Sequence, residues 1–339
     1  MKRRQIFHGL LGALGLALGT TPILASAADI TLTYAFFAPA GSFPGKQMQH
    51  WADELTKRTN GAVEVKTFPS STLLGARDMY DGVLKGVADI GLGAPSYDPG
   101  RFPLTAGFSL PLGFRDSTTA SQTLFKLTQE MKPAEFAKYK IIAMFTTEPG
   151  YIMSRQPVAS AADLAGMKLR AAGTGVPVLE KLGAAPVGMP MPEVPQAVQT
   201  GVIQGTMTSR EVLKDFRLAE QLGHVTDFPT VVVTFAAVMD LKRWNRLPEK
   251  VRQVIDELAL EMPAWTGKYH DNDNVGGAMA WAKSEHKLKV VGLSDAERQA
   301  WNAKLAPMVD EWIASASAKG LPAQQYVDRA RALAKELAR

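Results

Sequence analysis

Strand-like and helix-like patterns alternate at short spacing from residue 30 onward, and this rhythm constrains the chain more than any other feature. Ile30-Thr31-Leu32-Thr33-Tyr34 alternates apolar and polar side chains, as a strand does, and stops at a turn region, Pro39–Gly41. From about Pro44 the period becomes helical. Met48, Trp51, Ala52 and Leu55 share one face, Asp53, Glu54, Lys57 and Arg58 the other, and Asn60-Gly61 ends the segment. Val63–Phe68 then reads as a strand, Gly75–Lys85 as a helix and Ala88–Gly93 as another strand. Such alternation predicts parallel strand–helix–strand units, hence an α/β lobe with helices over its sheet.

A second series starts near Tyr139. Lys140–Thr146, Met167–Ala171 and Val202–Thr208 are predicted strands, with helices over Val176–Leu182 and Pro192–Gln199 between them. Val231–Met239 is nearly continuously apolar, as in a strand buried on both faces or one crossing between lobes. Gln253–Lys289 predicts one long or kinked helical stretch, and two terminal helices are expected after Ser294-Asp295 and Pro322. The 339 residues suffice for two lobes of about 150 residues each.

The N-terminus sets the compartment. Lys2-Arg3-Arg4 precedes an apolar run from Ile6 to Leu18, and Ala25-Ser26-Ala27 supplies the small residues of a cleavage site. This is the form of a secretory signal, residues 1–27, cut after Ala27. Arg3-Arg4-Gln5-Ile6-Phe7 loosely fits a twin-arginine signal too, so the export route is left open. The run is shorter than the roughly 20 apolar residues of a membrane span, and no later segment reaches that length. Absence of cysteine excludes disulfides, thiolate metal sites and thiol nucleophiles.

Charge excludes another class. Of 38 basic residues against 33 acidic ones, Lys2, Arg3 and Arg4 lie in the leader, and the rest are interleaved singly along helical faces. A nucleic-acid binder needs a basic stripe with aromatics between the cations, so no nucleic-acid partner is expected. Catalytic signatures fail as well: no glycine cluster completes G-x-G-x-x-G, and neither a Walker loop nor G-x-S-x-G is present. His50, His224, His270 and His286 lack the i, i+4 spacing of a shared metal. Asp271-Asn272-Asp273-Asn274 opens like a calcium loop, but Ala282 stands where a bidentate Glu belongs, so it reads as a polar helix face. No cofactor is expected.

Arg170 stands apart. It ends a short predicted strand, before Ala171-Ala172-Gly173-Thr174-Gly175 leads into a helix. The carboxyl end of a strand opens onto the ligand crevice of an α/β lobe, and Arg there presents a planar fork to a carboxylate, although spacing alone favours an ordinary surface arginine.

Pro157-Val158 with Ala162-Asp163-Leu164-Ala165-Gly166-Met167-Lys168-Leu169-Arg170 resembles the "kP…DLkGlKiR" block of TRAP-transporter periplasmic solute-binding proteins of the DctP family. Leu182-Gly183-Ala184-Ala185-Pro186-Val187, Glu193-Val194 and Ala197–Gly205 resemble its "lGa.Pv…Ev..AlqtGvvDG" block, and Trp244-Asn245-Arg246-Leu247-Pro248 its "w..Lp". The resemblance implies a type II-like periplasmic binding protein: two α/β lobes joined by crossing hinge strands and a long helix, closing over a small organic acid. On that scheme lobe I is 28–147 plus about 235–273, lobe II is 148–234 plus about 274–320, and 321–339 is a C-terminal helix. The family arginine carries over to Arg170, as the partner of a ligand carboxylate. A second arginine common in the family is missing from Gly150-Tyr151-Ile152-Met153-Ser154, Gln204 replaces the usual Asp, and Met207-Thr208-Ser209 replaces Glu-Asn-Pro. These departures favour a monocarboxylate with an apolar or aromatic body over a sialic-acid-like or dicarboxylate ligand.

Further ligand-contact residues are expected at the lobe openings: Phe36, Phe37, Tyr97, Tyr151, Met191, Thr208, Ser209 and Phe235. Met191 is preferred over Met189 because side chains alternate along an extended segment. The resemblance also implies periplasmic location, delivery to a TRAP integral-membrane permease and no catalysis. A secreted α/β enzyme acting on a small acid and a ligand-binding sensor subunit are the competing readings of the same residues.

Overall fold

The computed structural model describes residues 29–338; the expected signal peptide and cleavage site lie outside them. In chain order the strands are β1 Ile30–Phe36, β2 Val63–Phe68, β3 Ile90–Gly93, β4 Tyr139–Thr146, β5 Tyr151–Ser154, β6 Lys168–Ala171, β7 Ala185–Gly188, β8 Gly205–Thr208, β9 His224–Thr226, β10 Thr234–Asp240 and β11 Lys289–Val291. They form two sheets, β2-β1-β3-β10-β4 and β11-β9-β5-β8-β6-β7. Each sheet with its helices makes one lobe.

Neither sheet is wholly parallel. β10 runs antiparallel between β3 and β4, and β5 antiparallel between β8 and β9. β10 is antiparallel because the chain leaves the first sheet after β4 and re-enters it from the opposite end. β10 is buried over six of its seven residues, which accounts for its unbroken apolar run.

Two short segments carry the chain between the lobes side by side. Thr147 donates its amide to the Val233 carbonyl at 2.9 Å, and Gly150 donates to Val231 at 2.8 Å. The Val233 amide returns to Thr147 Oγ1 at 3.0 Å. Backbone pairing in so narrow a ribbon permits rotation while holding the two segments in register.

The third connection is helical. Glu249–Tyr269 packs on β4 and on the helix Ser117–Met131, whereas Val275–His286 packs on the short helix Val212–Asp215 of the other lobe. A π-turn, His270–Asn274, joins them. The polar run expected as a helix face is therefore this junction, and Asp271 accepts from the amides of Ser117 and Thr118 at 2.9 and 2.8 Å. Gly267 lies where a Cβ would come within 2.4 Å of the Thr118 Cα, so only glycine lets the two helices touch.

Several boundaries differ from expectation. The predicted helix Gly75–Lys85 shrinks to Met79–Leu84, because the preceding segment turns back to β1, where the Ser70 and Ser71 amides donate to Ala38 and Phe36 carbonyls. The strand expected from Val202 begins at Gly205, since the Ile203 amide donates to the Ala197 carbonyl and closes the preceding helix. Three terminal helices replace two, Asp295–Leu305, Met308–Ser317 and Ala323–Leu337, with Pro307 between the first pair.

Candidate functional site

Between the lobes lies a tight cavity of about 30 Å³, lined by Phe36, Phe37, Phe43, Tyr97, Arg170, Met191, Thr208 and Phe235, with Ser42, Thr147, Glu211 and Asp215. Most of these residues sit at or next to an end of an element, where the two lobes face each other. Phe36 ends β1, Thr208 ends β8, and Tyr97 lies in the tight turn after β3.

Arg170 is carried by β6, between β7 and β8, with Thr206 and Val187 as its neighbours in register. It is 1% exposed. Its Nε donates to the Met189 carbonyl at 2.8 Å, Nη1 approaches Met191 Sδ at 3.7 Å, and Nη2 donates to the Tyr97 hydroxyl at 3.3 Å. No carboxylate is among these partners. The Tyr97 hydroxyl also accepts from the Met191 amide at 3.1 Å, so one side chain of the first lobe ties together two parts of the second.

A cluster of aromatic rings lines the cavity on the first-lobe side. Phe37 packs on Phe36 and Tyr97 at ring-centroid distances of 4.6 and 5.3 Å, and Phe43 meets Phe235 edge-on at 5.8 Å. Such edge and tilted contacts fix ring positions and leave apolar faces for a guest.

The structure brings together seven of the nine residues singled out in the sequence: Arg170, Phe36, Phe37, Tyr97, Met191, Thr208 and Phe235 all line this cavity. Tyr151 is elsewhere. Its ring lies under the Arg210 guanidinium, 4.0 Å from centroid to Cζ, and Arg210 is itself clamped by Glu148 through Nε at 2.9 Å and Nη2 at 2.6 Å. Tyr151, the first residue of β5, is thus not among the residues that line the cavity; its ring stacks on this ion pair. Ser209 sits behind the cavity wall, its Oγ in contact with Glu211 Oε2 and 3.1 Å from His270 Nε2. Met189 lines a larger cleft of about 470 Å³ that Tyr97 also borders, while Met191 lies against Arg170; residues two apart share a face of an extended segment, so it is the turn beginning at Met191, not alternation, that separates them.

Sequence reasoning missed the acids. Glu211 is buried, and burial with the nearby Asp215 charge pushes its carboxyl well above the usual range. Asp215 accepts from the Phe43 amide, across the lobes, at 3.1 Å, and burial raises it to about 6. His270 is fully buried, its ring 4.1 Å from that of Phe43, and burial lowers it to about 4. Asn274 joins His270 Nδ1 at 3.1 Å to both Asp215 oxygens at 3.4 Å. The polar run at 271–274 was the only available signal, and its spacing suggested calcium rather than a link to a pocket. Among the described residues no cluster of three or more His, Asp or Glu side chains is arranged to hold a metal ion.

Two α/β lobes, a paired hinge ribbon, a shared helix and a buried arginine facing an inter-lobe cavity define a two-lobed solute-binding protein. Residues 34–315 match the family model described as bacterial extracellular solute-binding protein, family 7, or DctP, and the chain belongs to that family. Solved structures agree. A TRAP periplasmic solute-binding protein from Desulfovibrio salexigens is 43% identical with a TM-score of 0.80, over 91% of this chain and 97% of that one. A TRAP solute-binding protein from Rhodoferax ferrireducens, in complex with copurified benzoate, is 27% identical with a TM-score of 0.86, over 91% and 98%. A marine metagenome TRAP protein specific for aromatic acid ligands, in complex with 3-hydroxybenzoate, is 28% identical with a TM-score of 0.87, over 92% and 100%. Family members are solute-binding proteins of transport systems, and among the described residues no helix is long and apolar enough to cross a membrane.

Proposed function

We propose that this protein captures a small monocarboxylate with an apolar or aromatic body, holds its carboxylate on Arg170, and delivers it to a TRAP integral-membrane permease for sodium-coupled uptake. One observation carries this reading: a guanidinium 1% exposed, whose side-chain contacts are a carbonyl, a thioether and a phenol. Burying a cation without a counter-charge costs several kcal/mol, and a ligand carboxylate in the cavity offsets that cost. The cluster of Phe36, Phe37, Phe43 and Phe235 suits a ring, and Tyr97, Met191 and Thr208 complete its surroundings. Benzoate and 3-hydroxybenzoate in structurally similar proteins support the class.

Closure is part of the proposal. The cavity of about 30 Å³ is far below the roughly 150 Å³ of a cavity that admits benzene, so a ring enters only when the walls separate. On this reading the lobes, 28–147 with about 235–273 and 148–234 with about 274–320, rotate about the Thr147–Gly150 and Thr230–Val233 ribbon. Export to the periplasm after cleavage at Ala27 places the closed form where a permease recognises it.

Mass spectrometry of ligand released from the purified protein, followed by titration of that acid, tests capture; recovery of no carboxylate and no binding of simple aromatic acids would overturn it. Permease in liposomes with labelled acid tests delivery. Uptake is expected with a sodium gradient and no ATP, and chemical conversion by the soluble protein alone would refute the binding-protein reading.

A further inference from the structure

Two acids line the Arg170 cavity with no task in carboxylate capture, and the polar chain behind them fixes which hydrogen-bonding role one of them presents. Asn274 Nδ2 donates to Asp215, which leaves Asn274 Oδ1 as an acceptor for His270 Nδ1–H at 3.1 Å. A neutral imidazole with hydrogen on Nδ1 has Nε2 as an acceptor. Ser209 Oγ, 3.1 Å away, therefore directs its hydrogen to Nε2 and can only accept on its other side, where Glu211 Oε2 lies. With the Ser209 hydrogen given to Nε2 in this tautomer, the proton of the Ser209–Glu211 contact is the carboxyl's own. This agrees with the full burial of the carboxyl beside Asp215, which favours its neutral form, and with the burial that keeps His270 uncharged. With Oε2 committed, the carboxyl's remaining donor is the Glu211 amide itself, which leaves lone-pair capacity on Oε1 for a ligand donor. Arg170 pairs with neither acid.

Resting on the carboxylate-capture reading, we propose that Glu211 determines specificity by accepting a hydrogen bond from a hydroxyl or amine on the body of the ligand, so that the protein prefers a monocarboxylate bearing one such donor. A ligand without the donor covers this acceptor and gives no hydrogen bond in return. A dicarboxylate places a second negative charge beside Asp215 in a cavity whose lining offers no second cation, and is refused.

Titration calorimetry with benzoate, 3- and 4-hydroxybenzoate, isophthalate and terephthalate tests this on the wild type, Glu211→Gln and Glu211→Leu. The better hydroxybenzoate is expected to bind the wild type at least about tenfold more tightly than benzoate, and both phthalates more weakly than benzoate. Glu211→Leu should bring the hydroxybenzoate preference within about threefold while benzoate still binds, whereas Glu211→Gln, which keeps the acceptor and donates to Ser209, should retain it. Equal binding of benzoate and hydroxybenzoates by the wild type overturns the proposal, as does an unchanged preference in Glu211→Leu or a phthalate bound as tightly as the better hydroxybenzoate. Should Glu211→Leu fail to fold, either absence of the wild-type preference or its loss in Glu211→Gln is sufficient to refute it. Benzoate bound through Arg170 without hydroxyl preference removes this inference alone; failure of every acid to bind removes the carboxylate reading with it.

Discussion

The hydroxyl of Tyr97, on the first lobe, lies 3.3 Å from Nη2 of Arg170 and 3.1 Å from the Met191 amide, both on the second. It is a single-atom bridge across the cleft at the cavity itself. Tyr97→Phe removes the acceptor, leaves the buried Met191 N–H unpaired, and loosens the closed form that holds ligand. Benzoate affinity is expected to fall about tenfold, from the roughly 1–3 kcal/mol of an unmatched buried donor. Calorimetry checks this, and tighter binding by the variant would show instead that the hydroxyl competes with ligand for Arg170.

Arg170 should not tolerate lysine. A guanidinium that donates through Nε to Met189 and through its fork toward the cavity is replaced by a point charge with no planar geometry. Both Arg170→Lys and Arg170→Ala are expected to weaken acid binding by about 2–5 kcal/mol. Retained affinity in either variant, within about threefold, would take Arg170 out of the ligand's reach.

Closure should depend on Gly173. Its φ of +52° disfavours a side chain, and a Cβ there would stand 2.7 Å from Ser96 Cβ across the lobes. Gly173→Ala is therefore expected to hold the lobes apart without touching the Arg170 cavity. Small-angle scattering should show ligand-induced compaction in the wild type and less or none in the variant, with affinity reduced accordingly. Full compaction of Gly173→Ala would place the closing contact elsewhere.

The buried acid and imidazole should oppose each other in pH dependence. Asp215, raised to about 6 from 3.8, holds a proton in the folded state that the unfolded chain has released, so its contribution to stability is present below pH 4 and lost as pH rises through about 6. His270, lowered to about 4 from 6.5, does the reverse: its contribution is present above pH 6.5 and lost as pH falls through about 4. Denaturant unfolding between pH 4 and 6.5 should thus be flatter in the wild type than in either variant. Asp215→Asn should leave stability rising with pH, and His270→Gln should leave it falling, each by roughly 2 kcal/mol across the window. Parallel curves for all three proteins would contradict this assignment.

The sequence by itself determined the two-lobed α/β class and most strand positions, and the family resemblance, rather than spacing, singled out Arg170. Alternation and helical periodicity are local properties, written within a few consecutive residues. It did not reveal the helix Ser117–Met131, whose buried face includes Ser117, Ser121, Thr123 and Thr128 beside Leu124 and Leu127, so that apolar periodicity is diluted. Nor did it reveal the antiparallel placement of β10, which follows from the chain's return to a sheet it had left. Only the tertiary structure decided that Tyr151 stacks on Arg210 while Tyr97 reaches Arg170, and that Ser209, Glu211 and Asp215 meet His270 and Asn274 from about sixty residues away. Those pairings depend on how two lobes and one helix pack. Packing is set by the summed fit of surfaces far apart in the chain, and no short stretch of sequence contains it.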